Sequence, residues 1–180
     1  MRLFAPIALF AGAALFVATS DRVVNAQTSP MAVAIDYRVV SQSLPQALET
    51  LGRLAGVTVS VDGQVTGALG AWRGVGNFGD VLDKLAQSHD LFVLYDGTKV
   101  LVSPRSTATS VAIALNGQSP KAIRNALASI YPRAPKDALR FNETTGVALV
   151  LGPRSFVETV QKLVTSTPAQ TIQIIRAGQN

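Results

Sequence analysis

Ser43-Leu44-Pro45-Gln46-Ala47-Leu48-Glu49-Thr50-Leu51-Gly52-Arg53-Leu54-Ala55-Gly56-Val57-Thr58-Val59-Ser60-Val61 passes from a helical to a strand-like hydrophobic pattern within one short run. Leu44, Ala47, Leu48, Leu51, Leu54 and Ala55 recur at offsets of three and four, which predicts a single apolar helical stripe. Ser43 stands where an N-cap belongs, with Gln46 three residues on, the spacing of a capping box. Gly56 stops the helix and Thr58 to Val61 reads as a strand. A helix handed to a strand across one glycine predicts a small mixed unit of helices and sheet.

The same punctuation continues on both sides. Ala34 to Val40 is β-rich; Asp62-Gly63 marks a turn, and Ala68 to Trp72 reads as a further strand. Asn77 is placed to cap a second helix with Phe78, Val81, Leu82, Leu85 and Ala86 on one face. Leu91 to Tyr95 and Lys99 to Val102 flank Asp96-Gly97, a strong hairpin signal. Pro104 to Ser110, a run of Pro, Arg, Ser, Thr and Ala, reads as a linker. Beyond it, Val111 to Leu115 is a strand, and Ser119-Pro120 opens a helix bearing Ile123, Ala126, Leu127 and Ile130 before Pro132 stops it. Leu139 to Asn142 and Val147 to Leu151 pair around Thr144-Thr145-Gly146, and Phe156, Val157, Val160, Leu163 and Val164 form the stripe of a last helix. The expected fold class is α+β: two small α/β modules over 27–104 and 111–167, a linker at 105–110, and a tail at 168–180. The second module has the KH-like order β-α-β-β-α. Thr171 to Arg176 in the tail is strand-like, either a free tail or a strand offered to another chain.

The composition narrows the chemistry. The chain has 180 residues, 48% of them hydrophobic, which is too apolar for a disordered chain. It holds no Cys and one His, His89, so disulfides, thiolate zinc sites, iron–sulfur clusters, Cys nucleophiles and two-histidine metal motifs are excluded. No cofactor is expected. Met1-Arg2 followed by the apolar run Leu3 to Ala18 is too short for a typical bilayer span and suits a secretory signal, with cleavage between Ala26 and Gln27; an uncleaved anchor helix is the alternative. Export without cysteine points to a bacterial periplasm. No second apolar run of spanning length and no barrel-sized set of alternating strands follows, so membrane association is expected only through partners.

The charges divide unevenly. Residues 27–104 carry five basic and seven acidic side chains, and residues 105–180 carry nine and three. Such asymmetry favours an acidic partner for the second module or head-to-tail contact between copies, against the alternative of an ordinary solvated surface. Arg133, Lys136 and Arg140 gather the basic charge around one loop and are the candidate protein interface.

Catalytic readings fail on geometry. Gly74-Val75-Gly76-Asn77-Phe78-Gly79 is a literal G-x-G-x-x-G, with Asp96 at the end of the next strand. That strand turns straight back through Asp96-Gly97, whereas a dinucleotide fold continues into a second crossover helix, so a glycine connection into a helix accounts for the motif. Ser88, His89 and Asp90 are sequence neighbours and cannot converge as a triad; His89 suits a helix C-terminus. Asp80 and Asp83 fit the first turn of a solvated helix. The basic patch and the KH-like order raise nucleic-acid binding, but the second module lacks a G-x-x-G clamp between adjacent helices and export removes the usual partner. Trp72 stands as either an exposed or a core aromatic.

Taken together, Ala34 to Val102, with its Leu-Pro-Gln-Ala-Leu-Glu-Thr-Leu helix and Tyr95-Asp96-Gly97 hairpin, resembles the N-terminal domain shared by secretins and TonB-dependent transducers. Val150-Leu151-Gly152-Pro153 followed by Phe156-Val157-Glu158-Thr159-Val160 is similar to the entry to the last helix in the second periplasmic domain of type III secretion secretins. The resemblance implies a non-enzymatic periplasmic subunit of an outer-membrane secretin ring. Its implied partners are copies of itself, an inner-membrane ring protein and a separate barrel-forming secretin polypeptide, as in naturally split secretins of nodulation systems. A truncated secretin, or a signalling module of the TonB-transducer type, is the alternative.

Overall fold

The computed structural model describes residues 29–166, so the expected signal segment and the strand-like Thr171 to Arg176 lie outside the described residues. Among the described residues, four α-helices and several small sheets give a mixed α+β fold, with two hydrophobic clusters that meet along one strand.

In the first unit, β1 (Ala34–Val39), β2 (Gln42–Ser43) and α1 (Leu44–Ala55) lead into β3 (Thr58–Val61). The apolar stripe of α1 is buried at Leu44, Ala47, Leu48, Leu51 and Ala55, while Leu54 stays outside. Gly56 ends the helix at φ 69°, the left-handed conformation in which glycine escapes the Cβ penalty. Ser43 occupies the N-cap without a side-chain capping bond, contrary to the capping-box expectation. Its backbone is committed to pairing with β4 (Ala68–Leu69), and the Leu44 N–H is satisfied by the Gly67 carbonyl at 2.9 Å.

The stretch expected as one strand from Ala68 to Trp72 is two: β4 ends at Leu69 and β5 runs over Trp72–Asn77. The G-x-G residues therefore lie mostly within a strand, antiparallel to β1 with Tyr37 opposite Gly74 and Ile35 opposite Gly76. Small residues there admit the Trp72 ring, because a Cβ on Gly74 would stand 2.4 Å from it. Trp72 is half-buried against Tyr37, with ring centroids 6.2 Å apart. Next, α2 (Phe78–Ser88) buries Phe78, Val81, Leu82 and Leu85. Asn77 makes no side-chain cap; the Phe78 N–H bonds the Val33 carbonyl at 2.8 Å instead. His89 closes α2, donating its backbone N–H to Leu85.

Strands β6 (Leu91–Tyr95) and β7 (Lys99–Pro104) form the expected hairpin, and β3 joins β7 in parallel, giving the order β3-β7-β6. Asp96 tightens the turn by accepting hydrogen bonds from the backbone of Thr98 and Lys99 and from the Thr98 hydroxyl.

The polar run after β7 is folded: Arg105–Thr107 makes a 3-10 turn and β8 (Thr109–Ala114) begins directly after it. The second unit continues through α3 (Pro120–Ile130), β9 (Leu139–Asn142), β10 (Val147–Gly152) and α4 (Arg154–Ser166), in the expected β-α-β-β-α order. Its antiparallel sheet runs β8-β10-β9, and its core holds Ile123, Leu127, Ala148, Val150, Phe156, Val157, Val160 and Val164. Among the described residues, no helix is long and apolar enough to cross a membrane.

Candidate protein interface

The three cations expected to act together are separated by the fold. Arg133 lies in the loop between α3 and β9 and points back to the first unit. Its Nη2 donates to the Gly79 carbonyl at 3.0 Å and pairs with the Asp83 carboxylate at 2.5 Å. Its backbone also bridges to Tyr95, whose N–H donates to the Arg133 carbonyl at 2.8 Å. Lys136 and Arg140 are exposed and hold no ion pair among the described residues.

Arg140 sits on the outer face of the second sheet, in register with Leu149 of β10, which is itself in register with Ala112 of β8. Asn142, Val147 and Ala114 form the next rung, and Leu151 lies opposite Ser110. The inner face is covered by α3 and α4, whereas Leu149 on the outer face is 44% exposed. An apolar strip edged by an arginine suits contact with another protein surface that is apolar at its centre and acidic at its rim.

Where the two units meet, β6 carries the contact. Leu91, Val93 and Tyr95 belong to the first hydrophobic cluster, while Phe92 and Leu94 are buried in the second. The Phe92 and Phe156 rings lie 6.0 Å apart, and Tyr131 packs edge-on against Phe156 at 5.3 Å. Arg105 spans the junction: it pairs with Asp137 at 2.5 Å, lies 3.7 Å from the Asp90 carboxylate and stands 5.7 Å from the Phe92 centroid. A groove of about 700 Å³ lies between α2 and the loop that bears Arg133, lined by Asp83, Asp90, Arg105, Lys136 and Asp137 among others. Ion pairs already engage its charged groups except Lys136, so it offers little unspent charge for a ligand.

Asp83, Gly79, Arg105 and Phe92 are thus interface residues that spacing alone did not mark. The unbroken apolar run Leu91-Phe92-Val93-Leu94-Tyr95 is the signal that could have found Phe92, because a strand without alternation is one buried on both faces. The other sequence candidates do not converge. Ser88 donates to the Lys84 carbonyl, and Asp90 turns toward Arg105.

Asp36 and Asp96 both titrate below the ordinary carboxylate range. For Asp36 the hydrogen bond from Arg73 across β1 and β5 is the main cause. For Asp96 burial pushes upward, but the bonds from Lys99 and Thr98 together with the Lys99 charge outweigh it. Both account for local structure rather than chemistry on a substrate.

No family model matches the chain. It is 28% identical over 131 residues to the type 3 secretion system secretin of Xanthomonas euvesicatoria, covering 71% of this chain and 21% of that protein. With the type 3 secretion system secretin of Ralstonia nicotianae it shares 25% identity over 155 residues, covering 84% of this chain and 26% of that protein. The chain therefore spans about a quarter of the length of these curated relatives. Among solved structures it is similar to a chain of the Salmonella SPI-1 injectisome basal body containing InvG, PrgH and PrgK, with TM-score 0.56 and 21% identity over 72% of this chain and 27% of that one. A second match, from a Salmonella SPI-1 injectisome assembly of InvG with SpaPQR and PrgHK, has TM-score 0.54 and 20% identity over 74% of this chain and 93% of its counterpart. By sequence and by fold, the chain resembles the N-terminal region of type III secretion secretins.

Proposed function

We propose that the chain is a non-enzymatic, periplasmic structural subunit of a type III secretion secretin ring at the outer membrane. The observation that carries this is the likeness of both units, in order, to the N-terminal part of type III secretion secretins. On this reading residues 1–26 are a signal peptide removed between Ala26 and Gln27. Residues 27–104 form the domain that faces an inner-membrane ring, and residues 111–167 pack side by side with their counterparts in neighbouring copies.

The physical means is multivalency. A small domain with a weak contact is held firmly once the contact repeats around a closed ring. The exposed strip of Ala112, Leu149 and Arg140 on the second sheet supplies a surface of the right kind. Likeness to a solved injectisome basal body that also contains PrgH and PrgK supports an inner-membrane ring partner.

The test is affinity recovery of the C-terminally tagged chain from envelopes of cells with the secretion system induced. Co-elution in a large particle with a barrel-forming polypeptide and an inner-membrane ring protein is the expected result. A lone monomer in the periplasm, with the barrel assembled elsewhere, would replace this function with that of a signalling module of the TonB-transducer type.

A further inference from the structure

We infer that residues 29–166 form one rigid body, in which the loop from Tyr131 to Ala138 straps the second unit onto the edge strand of the first. The polar composition of residues 104–110 suggests two beads on a flexible connection, but the contacts around β6 couple them. β6 lies at the edge of its sheet and is nevertheless buried on both faces, one in each hydrophobic cluster. Parting the units would bring Phe92 and Leu94 into water together with the face of Phe156 that covers them.

Two polar anchors stand at opposite ends of that strand. At the Tyr95 end, Arg133 adds its backbone to the strand edge and seats its guanidinium on Gly79 and Asp83. At the Leu91 end, which pairs with Pro104, the Arg105 N–H bonds the Asp90 carbonyl at 2.8 Å and its side chain reaches Asp137 of the second unit. One anchor would leave a hinge; two anchors flanking an apolar contact remove both sliding and rotation. Close packing admits the second unit only because Gly152 has no side chain: a Cβ there would stand 2.6 Å from Phe156 and 3.0 Å from Phe92. These contacts lie within a single chain, so the coupling holds whether or not the protein enters a ring.

The sequence supplies its own probes. Trp72 is the single tryptophan and reports on the first unit, and the absence of cysteine lets one Arg140→Cys substitution carry a fluorophore that reports on the second. Urea unfolding of the purified full chain is followed by both signals at once. Coincident midpoints and slopes are expected, since one cooperative unit has one transition. A Trp72 transition separated from that of the label would overturn the inference. In Arg133→Gln, a second-unit change at the strap, both midpoints should fall by the same shift. A shift confined to the label would overturn it equally.

Discussion

The Arg133 guanidinium occupies the space where a side chain on Gly79 would begin: an ideal Cβ at Gly79 would stand 2.5 Å from Arg133 Nη1 and 3.2 Å from Nη2. A residue in the first turn of α2 and one in a loop of the other unit, 54 positions apart in the chain, are therefore matched in shape as well as by a hydrogen bond.

That match predicts that the effect of one substitution depends on the background. Alanine is the better helix former, by up to about 1 kcal/mol in a helix interior and by less in a first turn, so Gly79→Ala should stabilise the chain slightly when Arg133 is already alanine. With Arg133 present, the methyl displaces the guanidinium from Asp83 and from the Gly79 carbonyl, and the gain should vanish. A double-mutant cycle by urea unfolding should return a coupling on the order of 1 kcal/mol, and additive effects would show that the notch is incidental.

Phe156 is fully buried between Phe92 and Tyr131, so truncating it empties the centre of the junction. Phe156→Ala should cost about 3–5 kcal/mol. Because Phe92 belongs to the first unit, the loss should reach the Trp72 fluorescence transition as well as the circular dichroism signal.

Asp96 gives stability a pH dependence of known sign. Its carboxyl titrates below the ordinary value of about 3.9, so its contribution is present above that pH and is lost as pH falls through the lower, folded-state value. Asp96→Asn should therefore lower the unfolding midpoint at pH 7. The gap to the parent protein should narrow as the pH is taken below about 4. A constant gap from pH 7 to pH 3 would mean that the turn geometry, and not the charge, is responsible.

Lys136 and Arg140 are exposed and unpaired among the described residues, so reversing both should leave unfolding within about 0.5 kcal/mol of the parent. The same double variant, Lys136→Glu with Arg140→Glu, should reduce recovery of the large envelope particle. Normal recovery at raised ionic strength would exclude these charges from assembly. Arg133 is best left in place in that experiment, because reversing it would set two like charges together at Asp83 and disturb the junction.

The features legible along the chain are local. The offset-three-and-four stripes of α1 to α4, the Gly56 stop and the Asp96-Gly97 turn are all short-range patterns, and each lies where its spacing predicts, except that Leu54 of α1 and Ile130 of α3 stay exposed. The second-unit element order was legible for the same reason. In the sequence, the resemblance to secretin N-terminal regions rests on runs such as Val150 to Pro153 followed by Phe156 to Val160. Tertiary structure decided the partners. Ser43 and Asn77 look like caps, yet the Leu44 and Phe78 N–H groups find the carbonyls of Gly67 and Val33, which no spacing rule brings near. The glycines of 74–79 became a strand and a docking notch because β1, Trp72 and Arg133 approach them closely. The basic patch came apart, Arg133 pairing with Asp83, Lys136 lining the groove beside it and Arg140 lying on the outer face of the second sheet, because pairing depends on which loop reaches which helix. That choice rests on the burial of Phe92 and Leu94 between the two units, a long-range packing event that charge counts and periodicity do not encode.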